Sequence, residues 1–151
     1  MTTTAPSVRT LTKQAIAAAL TASSTLTGIQ INYAQPKTPQ NERISFSSLR
    51  GQMDGLAMTA GGLLSYLDSF TITLMAVSAV PSVDDGATAD ARVEAIVGAL
   101  IQVLCDLNLT NTVPGLLDVA LGVYNGPSPF PTDEGYASYA TVELDCQAQI
   151  N

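Results

Sequence analysis

Carboxylates and thiols are the side chains with the most chemical scope in this chain, because its 151 residues include no histidine. That absence excludes a Ser-His-Asp triad, a Cys-His pair and most zinc sites, each of which needs an imidazole. Asp84, Asp85, Asp90 and Glu94 cluster in sequence. Their spacing lacks the alternating oxygen ligands of a calcium loop, and they open a strongly apolar helical pattern, where acidic groups stabilise the positive end of the helix dipole. Asp133, Glu134, Glu143 and Asp145 fall on a loop and on the polar face of a strand. Almost no aromatic residue lies nearby to form the sugar platform of a paired-carboxylate hydrolase. Cys105-Asp106 and Asp145-Cys146 are adjacent pairs, but neighbours on a strand point to opposite faces, so Asp145 is not placed to activate Cys146. Gly61-Gly62 lacks the spacing and the lysine of a phosphate loop. These residues predict no enzyme, no catalytic group, no metal site and no cofactor.

The elements that would position such side chains are legible from hydrophobic spacing. Near the end, Ala140, Val142, Leu144, Cys146, Ala148 and Ile150 alternate strictly with Thr141, Glu143, Asp145, Gln147 and Gln149. A period of two predicts a strand whose even-numbered face is buried. From Ser7 to Ser23, a helix is expected to turn Val8, Leu11, Ala15, Ile16, Ala19 and Leu20 inward, with Arg9, Thr12 and Lys13 opposite. Gly28 closes that unit, Ile29 to Tyr33 alternates as a short strand, and Pro36 and Pro39 mark a turn. Thr88 to Leu107 carries the broadest apolar stripe, through Val93, Ile96, Val97, Leu100, Val103, Leu104 and Leu107, and reads as the second helix.

Between Arg43 and Val80 the pattern is two extended runs around a Gly-rich middle. Residues Gly51 to Ser65 read as a long hairpin tip or arm carrying Leu56, Met58, Leu63 and Leu64; apolar residues on such a segment imply either a partner or a loop folded back on its own core. Asn108 to Gly115 reads as a turn, Leu117 to Val123 as a strand, and Asn125 to Pro131 as a rigid loop. The order predicts one α/β (α+β) domain over residues 1–151, a single mixed, mainly antiparallel sheet with two helices on one face and a long hairpin arm. Cys105 and Cys146 are expected as two buried thiols, not a disulfide.

Charged residues make up only 13% of the chain, about half the usual share, so its surface is comparatively easy to desolvate. That favours partner contacts or a virion-like assembly, or else reflects a Thr-rich and Ala-rich compositional bias. The net charge of −7 leaves no footprint for binding a nucleic-acid backbone, and neither Arg9 with Lys13 nor Arg43 with Arg50 amounts to a basic patch. An acidic surface does fit a channel through which DNA slides without sticking. The apolar run from Ala15 to Leu20 is shorter than the ~7–15 residues of a signal-peptide core, and no stretch approaches the ~20 apolar residues of a membrane span.

The layout resembles the tail terminator (tail-completion) proteins of long-tailed bacteriophages. The resemblance rests on the helix around Leu11 to Leu20, the strand Gly28 to Tyr33, and the strand Ser69 to Val77. It continues through the helix Asp90 to Leu104 ending in Cys105-Asp106-Leu107, and the late pair Val119 to Tyr124 and Ala140 to Cys146. It implies a virion protein at the head-proximal end of the tail, assembled in the host cytoplasm, which works without cofactor and away from membranes. Its copies would form a ring, usually of six, on the last ring of the tail tube, ending tube growth and presenting a surface to the head connector or stopper. DNA would pass through unbound. On this resemblance the arm, with Arg43, Arg50, Leu56, Met58, Leu63 and Leu64, is the expected assembly interface, and Asp84, Asp85, Asp133 and Glu134 the expected acidic channel or loop surface. Another head-tail connector or a tail tube protein is the alternative. From a different class, so is a small-molecule or peptide-binding module using an apolar pocket between helices and sheet.

Overall fold

Ser7 opens the first helix, its hydroxyl accepting the Thr10 N–H at 3.4 Å, as an N-cap serine does when it satisfies a donor that the helix start leaves free. The computed structural model describes residues 7–55, 66–81 and 86–150. Over these the elements are α1 (Val8–Ala22), a 3-10 turn (Ser24–Leu26), β1 (Gln30–Asn32), β2 (Glu42–Gly55) and β3 (Tyr66–Val80). They continue with α2 (Ala87–Asp106), α3 (Leu109–Thr112), β4 (Leu116–Thr132) and β5 (Gly135–Ile150). The strands form one sheet in the order β1-β2-β3-β5-β4. β1 runs parallel to β2 and every other pairing is antiparallel, so the sheet is mixed and mainly antiparallel, with the helices packed on one face.

The final strand follows its sequence pattern closely. Ala140, Val142, Leu144, Cys146 and Ala148 are buried, and they meet Ile16, Leu20, Val93, Ile96, Val97, Leu100 and Leu104 from the helices in one core. Along β3 the same alternation buries Phe70, Ile72, Leu74 and Ala76. The other sheet face carries Ser69, Thr71 and Thr73 from β3, paired with Gln147, Asp145 and Glu143 from β5, and beyond them Met75 beside Thr141 and Val77 beside Tyr139, so that most of it is polar. It is the polar face by contrast with the helix-covered one.

The first helix is rotated relative to its expected wheel. Thr12, expected outside, is fully buried with Ile16 and Leu20, and Arg9 and Lys13 flank that buried line. Each polar group is satisfied where it lies. The Thr12 hydroxyl donates to the Val8 carbonyl at 2.7 Å, and Lys13 Nζ lies 4.2 Å from the Tyr33 ring centre, a favourable cation–π distance. Arg9 grips both Asp68 carboxylate oxygens, Nε–H donating to one at 2.7 Å and Nη2–H to the other at 2.6 Å, and Asp68 is 0% exposed. Gly51 makes room for this pair: a Cβ there would stand 2.6 Å from Phe70 Cβ and 2.7 Å from Arg9 Nη2.

Three further expectations change. Residues Gly51 to Gly55 are strand, paired with Phe70 back to Tyr66, so what remains of the expected arm, 56–65, lies outside the described residues. Asn108 to Gly115 contains the short helix α3. Asn125 to Pro131 is not a loop but the second half of β4, which runs on beside β5 through register shifts. Prolines are tolerated here because β4 is an edge strand. Pro129 and Pro131 pair with Ser138 and Tyr136, and with no N–H to donate they belong where the nitrogen faces the free edge. Gly126, preceding the cis Pro127, lets this strand approach closely, since a Cβ would come within 2.8 Å of the Tyr139 carbonyl.

A surface ion pair ties the sheet to α2, with Arg92 bonded to both Glu42 carboxylate oxygens and the Ser78 hydroxyl donating to one of them. Chiefly through Arg92, the Glu42 carboxyl is held below the usual carboxylate range. A lowered folded pKa means that this contribution is present above the unfolded value, about 4.3, and is lost as pH falls through the folded one.

Candidate assembly surface

Among the described residues, the chemically capable side chains do not converge. Asp90 accepts from the Ser138 hydroxyl at 2.6 Å and is the acidic residue in the first turn of α2, which agrees with a dipole role. Asp84 and Asp85 lie outside the described residues. Asp145 accepts from Thr71 at 2.9 Å on the polar sheet face, while its neighbour Cys146 is buried on the opposite face. Asp133 and Glu134 form the tight turn between β4 and β5, at the far end of the sheet from the β2–β3 hairpin tip. Among the described residues, no group of three or more Cys, Asp or Glu could hold a metal ion.

The two cysteines are free but not alike. Cys105, expected to be buried, is exposed on α2, whereas Cys146 is buried as expected. The apolar stripe of α2 passes through Leu100 and Leu104, and the residue after Leu104 turns away from it. Burial, with smaller contributions from Asp145 and Asp118, pushes the Cys146 thiol up to about 12, so it stays protonated at neutral pH and is a poor nucleophile. An aromatic disulfide reagent should therefore titrate one thiol per native chain quickly and the second only after denaturation. Two fast thiols would contradict the burial of Cys146.

What stands out instead is two bare sheet edges. On one side, β1 covers β2 only along Arg43 to Ser45, leaving Phe46 to Gly55 without a strand partner on that edge among the described residues. On the other side β4 is the last strand. Its proline-bearing half lacks donors at the free edge, but Leu116 to Asn125 contains no proline and exposes Leu117, Leu121, Val123 and Tyr124. Leu117 and Val123 are 54% and 53% exposed, an apolar edge of the kind that a lone soluble chain normally avoids. Burial, with help from Glu94 and Asp90, also pushes the Tyr124 hydroxyl above its ordinary pKa.

Strand directions make these edges complementary. The order β2-β3-β5-β4 alternates in direction throughout, so β4 of one copy beside β2 of another would continue the antiparallel pattern without a break. The free lengths match as well, 46–55 against 116–125, each about 33 Å at ~3.3 Å per residue. Arg43 and Arg50 both project from the polar sheet face, but near opposite ends of β2, opposite Val77 and Thr71. Arg43 donates to the Gln40 carbonyl at 2.8 Å. Arg50, with its side chain 74% exposed, reaches Glu143 only at 3.4 Å and is the freer cation. Leu56, Met58, Leu63 and Leu64 lie outside the described residues. The one sequence signal bearing on the β4 edge is the alternate spacing of Pro127, Pro129 and Pro131, which an edge strand tolerates and a rigid loop shares.

Between β4 and the α2–α3 corner lies a groove of about 550 Å³, lined by Leu104, Leu107, Leu109, Leu117, Leu121 and Leu144, with Cys105 and Asp118 among its polar neighbours. The polar sheet face holds a second, shallower depression of about 600 Å³ that includes Arg50, Thr71, Asp118 and Asp145. On that face the carboxylates of Asp54, Asp118, Glu143 and Asp145 outnumber the guanidinium groups of Arg43 and Arg50.

Neither a protein-family model nor a curated protein sequence matches this chain. Among solved structures, a chain of the virion of a native gene transfer agent particle is similar in fold, with a TM-score of 0.57 at 14% identity. The match covers 97% of this chain and 100% of that one.

Proposed function

We propose that this chain is a non-enzymatic virion protein that assembles head to tail into a ring, caps a phage tail tube, ends its polymerisation and joins the tail to the head connector. The observation that carries the reading is the pair of bare, equally long sheet edges, one of them apolar, whose strand directions continue each other. A contact between two different surfaces of one chain is heterologous and closes into a ring when the rotation permits. It would also cover both edges, which are liabilities on a lone subunit. Six copies is the number that the tail-terminator resemblance implies. The polar, net-acidic sheet face suits a lumen that repels the DNA backbone. A similar fold in a gene transfer agent virion supports the virion reading.

At such an edge, Arg50 of one copy would share the polar face with Asp118 of the next, a few residues along the strand from it. Arg50→Glu should raise the concentration needed for ring formation roughly tenfold, the equivalent of about 1.4 kcal/mol, and Asp118→Arg should do the same. Combining them should restore assembly, which light scattering and negative-stain images would show. Wild-type protein that is monomeric at every concentration would refute the ring. Growth into long cylinders would favour a tube protein over a terminator, and a monomer whose melting rises with ligand would favour a binding module.

A further inference from the structure

The groove beside β4, lined on one side by leucines, lies at one particular end of the sheet. Leu116 pairs with Ala148, and Tyr66 with Ile150. The start of β4 and the tip of the β2–β3 hairpin are therefore at the same end. If β2 of one copy runs antiparallel along β4 of the next, Gly55 arrives beside the neighbour's Leu116 and Leu117, at the mouth of that neighbour's groove. The segment that leaves Gly55 and returns at Tyr66 reads Leu-Ala-Met-Thr-Ala-Gly-Gly-Leu-Leu-Ser, with no charged residue. Five residues out and five back reach at most about 17 Å, against a strand spacing of ~4.8 Å.

We infer that segment 56–65 of one copy seats in the groove formed by Leu104, Leu107, Leu109, Leu117, Leu121 and Leu144 of the adjacent copy. The inference rests on the edge-to-edge ring proposed above and deepens it, because it names the partner of the groove. The chemistry matches on the leucine side of a groove that also carries Asn108, Thr110 and Asp118: Leu56, Met58, Leu63 and Leu64 offer apolar side chains to its leucines, and flexible Met and Gly suit an irregular fit. Seated this way, the segment would lock each sheet-edge contact with a second, independent one.

The exposed Cys105 beside the groove supplies the test, since Cys146 is buried. Leu56→Cys, Met58→Cys, Leu63→Cys and Leu64→Cys are made singly in the full-length protein. Each is treated with a mild oxidant or a short bis-maleimide after light scattering has recorded its assembly state. The expected result is that ring fractions of at least one variant give a covalent ladder reaching the full ring, and that Cys105→Ser abolishes it. Rings that give no ladder at any of the four positions would overturn this inference alone. A cross-link confined within single chains would also overturn it, by showing that the segment fills its own groove. Wild-type protein that never assembles would remove the ring, and the inference with it.

Discussion

Leu144→Asp should yield no soluble folded protein, whereas Glu143→Gln should melt within a degree or two of the wild type. Leu144 is 2% exposed, in β5 between Ile72 on β3 and Leu121 on β4, and faces the helices. Its removal forfeits about 1.5–3 kcal/mol of burial, and a carboxylate there has no cation within the core to pair with. The substitution must either bury an unpaired charge or protonate it, at a further cost of several kcal/mol. Against a total of about 5–15 kcal/mol for a typical domain, little stability remains. Glu143, one residue away, lies on the polar face with only a 3.4 Å contact to Arg50. Its replacement by Gln keeps the shape and should stay within ~0.5 kcal/mol. Soluble yield and thermal melts of the two variants decide the matter, and equal tolerance of both would contradict the assigned faces of β5.

Asp68→Ala should be the most damaging change outside the apolar core. Asp68 is fully buried, and both its oxygens are taken by Arg9, whose guanidinium also lies 5.6 Å from the Phe70 ring centre. Removing one partner of a buried pair strands the other charge, which typically costs about 3–5 kcal/mol. Arg9 retains a side chain 24% exposed, so water relieves part of that and the lower bound is the better guide. At 2–4 °C per kcal/mol for a chain of this size, a loss of about 3 kcal/mol corresponds to a melting temperature lower by roughly 6–12 °C. Replacing both partners by apolar residues, Arg9→Met with Asp68→Leu, should recover most of the loss, because neither charge is then left unpaired. If Asp68→Ala melts like the wild type, the pair does not anchor α1 to the sheet.

Which elements could be read in advance follows from how local their causes are. β5 and α2 each carry an uninterrupted apolar period, of two and of three to four residues, and both appear as expected. α1 has the right length but the wrong rotation, because a helical wheel places Arg9 and Thr12 outside on polarity alone. Asp68, fifty-nine residues from Arg9, is what makes an inward arginine tolerable. No local window contains both. The proline run after Asn125 gave the same difficulty in another form: proline opposes a central strand and permits an edge strand, and the sequence does not say where in the sheet a strand will lie.

The candidate site divides along the same line. By itself the sequence determined that the chain has no imidazole chemistry, that it is acidic overall, and that it forms two helices and a mainly antiparallel sheet with one polar face, since each of these depends on composition or on short-range periodicity. Only the tertiary structure decided which strands end the sheet, and therefore that Leu117, Leu121 and Val123 stand at a bare edge while the equally apolar residues of β3 do not. It also decided that Cys105 faces outward beside a leucine-lined groove. Strand order is set by pairing between segments distant in sequence, with the energy of each pairing depending on every other. The exposure of an apolar side chain is a property of that whole arrangement and not of its own neighbours in the chain.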